Sequence, residues 1–199
     1  LDKNSNAEIV FITDNCESKL IKFISIGAYE TGPTYHPNNV KKMFSLFLDK
    51  YSDYDFYMII DDDTYLNVNK LKLFLSFFDK NDSYMIGDFL NWTHIHGANK
   101  FGGYYDYWIG GGPGIVFTKS CIIKYTNLYT AINIPFCNHD VWLHILFHNS
   151  DGSIKRVHCP GFHQSGEEYL FEKYSSEKNK LISVHLNRNM SLLYKYHNL

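Results

Sequence analysis

The sequence is short of several things, and each shortage excludes a class of protein. It has no basic excess: 19 Lys and Arg stand against 21 Asp and Glu, a formal net charge of −2. Nucleic-acid platforms ordinarily carry such an excess, so no nucleic-acid partner is expected. It has no run of about 18 apolar residues, so nothing within it reads as a transmembrane helix. Its 4 cysteines, Cys16, Cys121, Cys137 and Cys159, form no CxxC pair. A zinc knuckle is therefore not supported, and spacing alone does not choose among the possible disulfide pairings. Only 5 prolines are scattered along the 199 residues. Without a Ser/Gly tract, an internal repeat or a low-complexity segment there is no linker, and the length suits one domain.

What is present is apolar and aromatic. Hydrophobic residues make up 45% and aromatic residues 17%, with 16 Tyr and 15 Phe. A chain of this size buries about 70% of its unfolded surface without disulfide or metal staples. Tyr beyond the needs of a core leaves amphipathic rings for a binding cleft. Three N-glycosylation sequons, at Asn81, Asn91 and Asn189, are about what chance supplies and say little about compartment.

Strand and helix patterns alternate along the chain. Glu8–Thr13 and Phe23–Ile26 read as short strands. Pro37–Leu48 reads as a helix with Pro in its first turn and Val40, Met43, Phe44 and Phe47 on one face. The continuous apolar run Phe56–Ile60 predicts a strand buried on both faces, as in a mostly parallel sheet. Helices are expected at Val68–Phe78, Lys119–Tyr129, Asp140–Phe147 and Glu167–Lys173. Strands are expected at Tyr84–Gly87, Gly114–Phe117, Ile154–His158 and Leu181–His185, with a polar, aromatic loop from Asn91 to Trp108. This order predicts a single α/β domain with a mixed, mostly parallel sheet and flanking helices.

Four constellations carry chemistry. Asp61-Asp62-Asp63 follows the apolar strand directly, at the strand end where open α/β sheets bind ligands. Adjacent carboxylates beside a low-dielectric wall repel unless a cation compensates, and hard ions such as Mn²⁺ or Mg²⁺ prefer oxygen ligands. An EF-hand is excluded, because Leu66 and Lys72 stand where its Gly and closing Glu belong. Gly110-Gly111-Gly112-Pro113-Gly114 lets backbone approach a ligand closely, and it is neither GxGxxG nor a Walker loop. Asp140, in His139-Asp140-Val141-Trp142, sits at a helix start, where the dipole keeps a carboxylate ionised and able to accept a proton. Finally, His163 follows Phe162 in a loop after a strand and His185 closes the last strand, and either is a candidate to complete a metal site. Each feature alone also fits a bland role: a solvated acidic turn, a tight turn, a helix cap, an ordinary polar histidine.

Taken in order, Asp55-Phe-Tyr-Met-Ile-Ile-Asp-Asp-Asp-Thr-Tyr-Leu66, Trp108-Ile-Gly-Gly-Gly-Pro-Gly-Ile-Val-Phe117, His139-Asp-Val141, Gly161-Phe-His163 and Ile182-Ser-Val-His185 resemble the fringe and core-1 β-1,3-galactosyltransferase family of inverting glycosyltransferases. The resemblance spans about residues 8–195. It implies a GT-A, Rossmann-like fold, a UDP-sugar donor, a glycan or glycoprotein acceptor and Mn²⁺ (or Mg²⁺). By position it implies Asp63 as the metal ligand, with His185 as the histidine ligand and His163 as second choice. Asp61 and Asp62 would face the ribose and the metal's waters, and Asp140 would be the base. Trp108, Gly110, Gly111 and Gly112 would line the sugar end of the cleft. The linkage implied is β-1,3, with a Gal- or GlcNAc-type hexose, in the Golgi or secretory-pathway lumen. Two departures stand out. The family places a strand–helix unit before the segment matching Glu8–Thr13. The expected domain, 1–199, therefore lacks that unit and any membrane anchor. The residue before the expected base, acidic in the family, is His139 here. Other classes that fit parts of the pattern are a metal-dependent phosphohydrolase, which would need a mostly helical domain, and a non-catalytic carbohydrate-binding relative.

Overall fold

A computed structural model of the chain describes residues 7–8, 11–13, 23–25, 36–91, 107–131, 138–164, 180–189 and 191–197. In chain order its elements are β1 (Phe11–Thr13), β2 (Phe23–Ser25), α1 (His36–Lys50), β3 (Phe56–Ile59), β4 (Thr64–Leu66) and α2 (Val68–Leu75). They continue with β5 (Tyr84–Asn91), β6 (Tyr107–Gly110), β7 (Ile115–Thr118), α3 (Lys119–Ala131) and α4 (His139–His148). Strands β8 (Lys155–His158), β9 (Phe162–His163) and β10 (Ser183–His185) follow, and α5 (Ser191–His197) comes last. The helix expected at Glu167–Lys173 and most of the loop expected from Asn91 to Trp108 lie outside the described residues. So do Cys16 and Cys137, whereas Cys121 and Cys159 are buried free thiols. Burial pushes the Cys159 thiol up to about 11, so it stays protonated at neutral pH.

The fold is α/β with mixed sheets and flanking helices, as the alternating pattern predicts. The direction of pairing differs from the mostly parallel expectation. Strand β3 pairs antiparallel with β7, and β5 pairs antiparallel with both β7 and β6 but parallel with β8. The run at Phe56–Ile59 is apolar throughout because helices cover both faces of this sheet, not because its neighbours are parallel. On one face Tyr57, Met85, Ile115 and Phe117 pack with Val40 and Phe44 of α1, Ile122 and Tyr125 of α3, and Leu143 and Leu146 of α4. On the other, Met58, Ile86 and Val116 pack with Leu71 and Leu75 of α2 and with Phe162 and Ile182. The period-2 alternation of side chains sends successive residues of one strand into different cores.

The register along β5 contains the feature that builds the site. Ile86 faces Val116 of β7, and Asp88 faces Gly110 of β6. Two steps along β5 thus correspond to six along its partner. The four extra residues, Gly111–Gly114, form a turn closed by the Gly114 N–H donating to the Gly111 carbonyl at 2.9 Å. Gly114 has φ +104°, a conformation in which glycine is free of the strain that a side chain would bring.

A second sheet, in the order β4-β10-β9, meets that turn. Strand β4 continues directly from the acidic triplet and runs antiparallel to β10, with Thr64 opposite His185 and Leu66 opposite Ser183. Cross-strand partners share a face. Thr64 Oγ1 donates to the Gly112 carbonyl at 2.7 Å, and the fully buried Ser183 hydroxyl donates to the Pro113 carbonyl. Helix α5 closes this sheet from behind, with Tyr196 stacked on Tyr65 at 6.1 Å and packed among Leu181, Val184 and Leu186.

Removing the Ser183 hydroxyl strands a buried carbonyl. Ser183→Ala is therefore expected to lower the unfolding free energy by about 1–3 kcal/mol, read from a urea denaturation midpoint at unchanged slope.

Candidate active site

The pairing of β4 with β10 sets the acidic triplet against His185. His185 lies opposite Thr64, so its ring stands beside Asp63, the residue before Thr64. Its Nε2 is 3.1 Å from Asp63 Oδ1 and 3.8 Å from Asp61 Oδ2. One donor atom from each of Asp61, Asp63 and His185 falls within 4.8 Å of the others. Asp63 is 13% exposed, His185 16% and Asp61 44%, so the group opens to solvent on the Asp61 side. Asp62 is exposed and stands outside it.

Backbone groups hold these side chains in place. The Arg188 N–H donates to Asp63 Oδ2 at 2.6 Å, and the Leu186 N–H donates to the Asp63 carbonyl at 2.9 Å. To deliver those donors the chain turns through positive φ at Asn187 (50°) and Arg188 (66°), conformations that non-glycine residues seldom adopt. His185 Nδ1 lies 3.2 Å from the Gln164 carbonyl. A carbonyl only accepts, so Nδ1 donates to it, which leaves Nε2 as the nitrogen that faces the two carboxylates and is oriented to ligate a metal. Two carboxylate oxygens and one imidazole nitrogen fixed by a backbone carbonyl fit Mn²⁺ or a similar divalent ion. The Asp61 carboxyl is pushed above its ordinary range, chiefly by burial. The His139 and His185 imidazoles oppose that shift, and Asp63 and Asp62 add to it.

His163, the second choice for the histidine ligand, is not brought into this group. It pairs with Val184 in the parallel β9–β10 ladder. It therefore shares the face of buried Val184, one step out of phase with His185. Gln164, the next residue, falls on the His185 side.

The glycine turn lies between the acid–imidazole group and the start of α4. A Cβ on Gly112 would come within 2.6 Å of His185 Nδ1 and 2.8 Å of Gln164 Nε2, and one on Gly111 would strike the His139 ring at Nε2. One on Gly110 would strike Gln164 Oε1, and that oxygen is buried without a hydrogen-bond partner. Side chains from three different parts of the chain thus occupy the room the glycines leave.

Beyond the turn, Asp140 stands in the first turn of α4. Its Oδ2 accepts the indole N–H of buried Trp108 at 3.3 Å, and its Oδ1 accepts the Val141 N–H at 2.8 Å. Each oxygen retains a lone pair. The His139 ring at Gly111 and the His185 ring at Gly112 tie this helix start to the acid–imidazole group through adjacent residues of the turn. Asp61, Asp63, His185, Trp108, Gly110, Gly111, Gly112 and Asp140 therefore border one region of the molecule. Thr64 and Gln164 were not singled out in the sequence. Thr64 carried a signal in directly following the triplet. Gln164 carried none, because β9 is only two residues long.

Comparison with protein-family models matches the Fringe-like family over residues 7–196. The chain belongs to that family, and its class is that of the glycosyltransferases. Among curated proteins, none matches the chain significantly. The mostly helical scaffold of a His–Asp phosphohydrolase is not the fold seen here.

Gly112→Ala is expected to displace the His185 ring with little loss of fold, costing about 1–3 kcal/mol of overpacking. The check is a histidine-selective NMR spectrum, in which the His185 ring resonances move while those of His148 stay in place.

Proposed function

We propose that this chain is an inverting, metal-dependent glycosyltransferase. It moves a hexose of Gal or GlcNAc type from a UDP-sugar to a hydroxyl of a glycan or glycoprotein, with β-1,3 linkage. The observation that carries the reading is the placement of the Asp61–Asp63–His185 group and the Asp140 carboxylate on either side of one glycine turn. An inverting displacement needs two separated functions, one for the leaving group and one for the nucleophile.

On the leaving side, Asp63 and His185 would hold a Mn²⁺ ion, with Asp61 and Asp62 facing the ribose and the ion's waters. The ion would supply neutralisation of the charge that develops on the departing diphosphate. On the nucleophile side, Asp140 accepts the proton of the acceptor hydroxyl as that oxygen attacks the anomeric carbon. Trp108 fixes the carboxylate through its indole N–H, so the base is oriented before substrate arrives. Trp108 and Gly110–Gly112 would line the sugar end of the cleft, with the Gln164, His139 and His185 side chains packed against the glycines. No covalent intermediate on the protein is required. The compartment proposed is the Golgi or secretory-pathway lumen, where such acceptors are made. Among the described residues no helix is long and apolar enough to cross a membrane, and the 199 residues are treated as one catalytic domain.

The test is UDP release with a panel of UDP-sugars and glycan acceptors, with and without MnCl₂. Asp140→Asn is expected to lower kcat by about 10²–10⁴ while Mn²⁺-dependent UDP binding persists. Asp63→Asn is expected to abolish Mn²⁺-dependent UDP binding in a calorimetric titration. Turnover indifferent to both Mn²⁺ and Asp140 would reject the mechanism. Glycan binding without UDP or Mn²⁺ dependence would reassign the chain as a non-catalytic relative.

A further inference from the structure

His139 opens α4 immediately before Asp140 and is half-buried. Its ring reaches from the helix to the glycine turn. A Cβ on Gly111 would meet Nε2 first, with Cε1 at 2.7 Å and Cδ2 at 3.2 Å, so the imidazole abuts the glycine backbone through its Nε2 tip. A Cβ on the next residue, Gly112, would meet His185 Nδ1 at 2.6 Å, so the His139 and His185 rings flank adjacent glycines of the turn. One ring is therefore a chain neighbour of Asp140, in contact with Gly111 and one residue along the turn from the glycine that faces His185.

In-line displacement fixes what occupies the space beside such a ring. The anomeric carbon must lie between the attacking oxygen at Asp140 and the leaving diphosphate at Asp61, Asp63 and His185. The transferred sugar is then the part of the donor that passes His139, with the uridine end beyond the acid–imidazole group. Resting on the function proposed above, we propose that His139 is a specificity-determining residue that contacts the transferred hexose of the donor and reads its hydroxyl pattern. An imidazole both donates and accepts hydrogen bonds, so it distinguishes hydroxyl arrangements that an acceptor-only carboxylate would treat alike. Sites that hydrogen-bond a substrate hydroxyl discriminate strongly against analogues that cannot supply it.

The experiment is calorimetric titration in the presence of MnCl₂, with UDP, UDP-galactose and UDP-N-acetylglucosamine as probes. The proteins are the wild-type chain, His139→Gln and His139→Ala, with folding checked by thermal melts. UDP alone is expected to bind all three proteins within about twofold. The additional affinity conferred by the preferred sugar, taken as the ratio of UDP-sugar to UDP binding, is expected to fall about tenfold in both variants. An unchanged ratio overturns the inference. So does an equal loss for UDP and UDP-sugar, which would place the ring on the diphosphate or in the fold. A change confined to acceptor KM overturns it as well. If the wild-type chain binds neither UDP nor either UDP-sugar with Mn²⁺, the function and the inference fall together. Loss of the sugar ratio alone leaves the function standing.

Discussion

The site depends on atoms that are missing. At Gly110, Gly111 and Gly112 the volume of a β-carbon is already taken by Gln164, His139 and His185. Those three side chains come from β10, from the residue after β9 and from the head of α4, elements far apart in the chain. Their convergence on one turn brings the two sheets and the helix together. An alanine at any of these positions would leave the local backbone plausible and push the converging groups apart. Van der Waals exclusion at Cα is thus what sets the distance between the acidic side and Asp140.

Beneath that turn the register of two short strands does the positioning. Thr64 opposite His185 fixes which carboxylate the imidazole meets, and Thr64 and Ser183 tie the same strands to the Gly112 and Pro113 carbonyls. The strained Asn187–Arg188 turn brings an N–H to Asp63. Burial, and after it the acidic neighbours, raise Asp61 against the opposing imidazoles, so its ionised form is disfavoured without a compensating cation. The arrangement is coherent around a divalent cation.

Much of this was legible in the residues. The apolar run Phe56–Ile60 and the triplet after it, the amphipathic spacing of α1, and the helix expected from Asp140 are all local patterns, and the observed elements begin or end within one residue of them. Helix α2 ends at Leu75, short of the expected Phe78. Its apolar spacing continues there and Phe78 still packs against the core, but the Phe77 and Phe78 N–H groups donate to the Phe74 and Leu75 carbonyls three residues back, which ends the α-helix. Strands β4, β6 and β9 were not foreseen. They have two to four residues each, too few for alternation to register, and they exist because a neighbouring strand offers hydrogen bonds. Antiparallel pairing of β3 was likewise not legible, since coverage by helices gives the same apolar run in either direction.

The sequence by itself determined the α/β class, the order of elements and the chemical inventory: three acids after a buried strand, a glycine run, an aspartate at a helix start, and histidines near strand ends. These follow from short-range rules of burial and periodicity, which act between residues close in the chain. Tertiary structure alone decided that His185 rather than His163 faces Asp63, because a step of one residue along a strand reverses the face. It alone placed Gln164 and His139 in the gaps left by the glycines. Contacts between distant segments depend on strand register and on steric fit, and neither is written in any single stretch of residues.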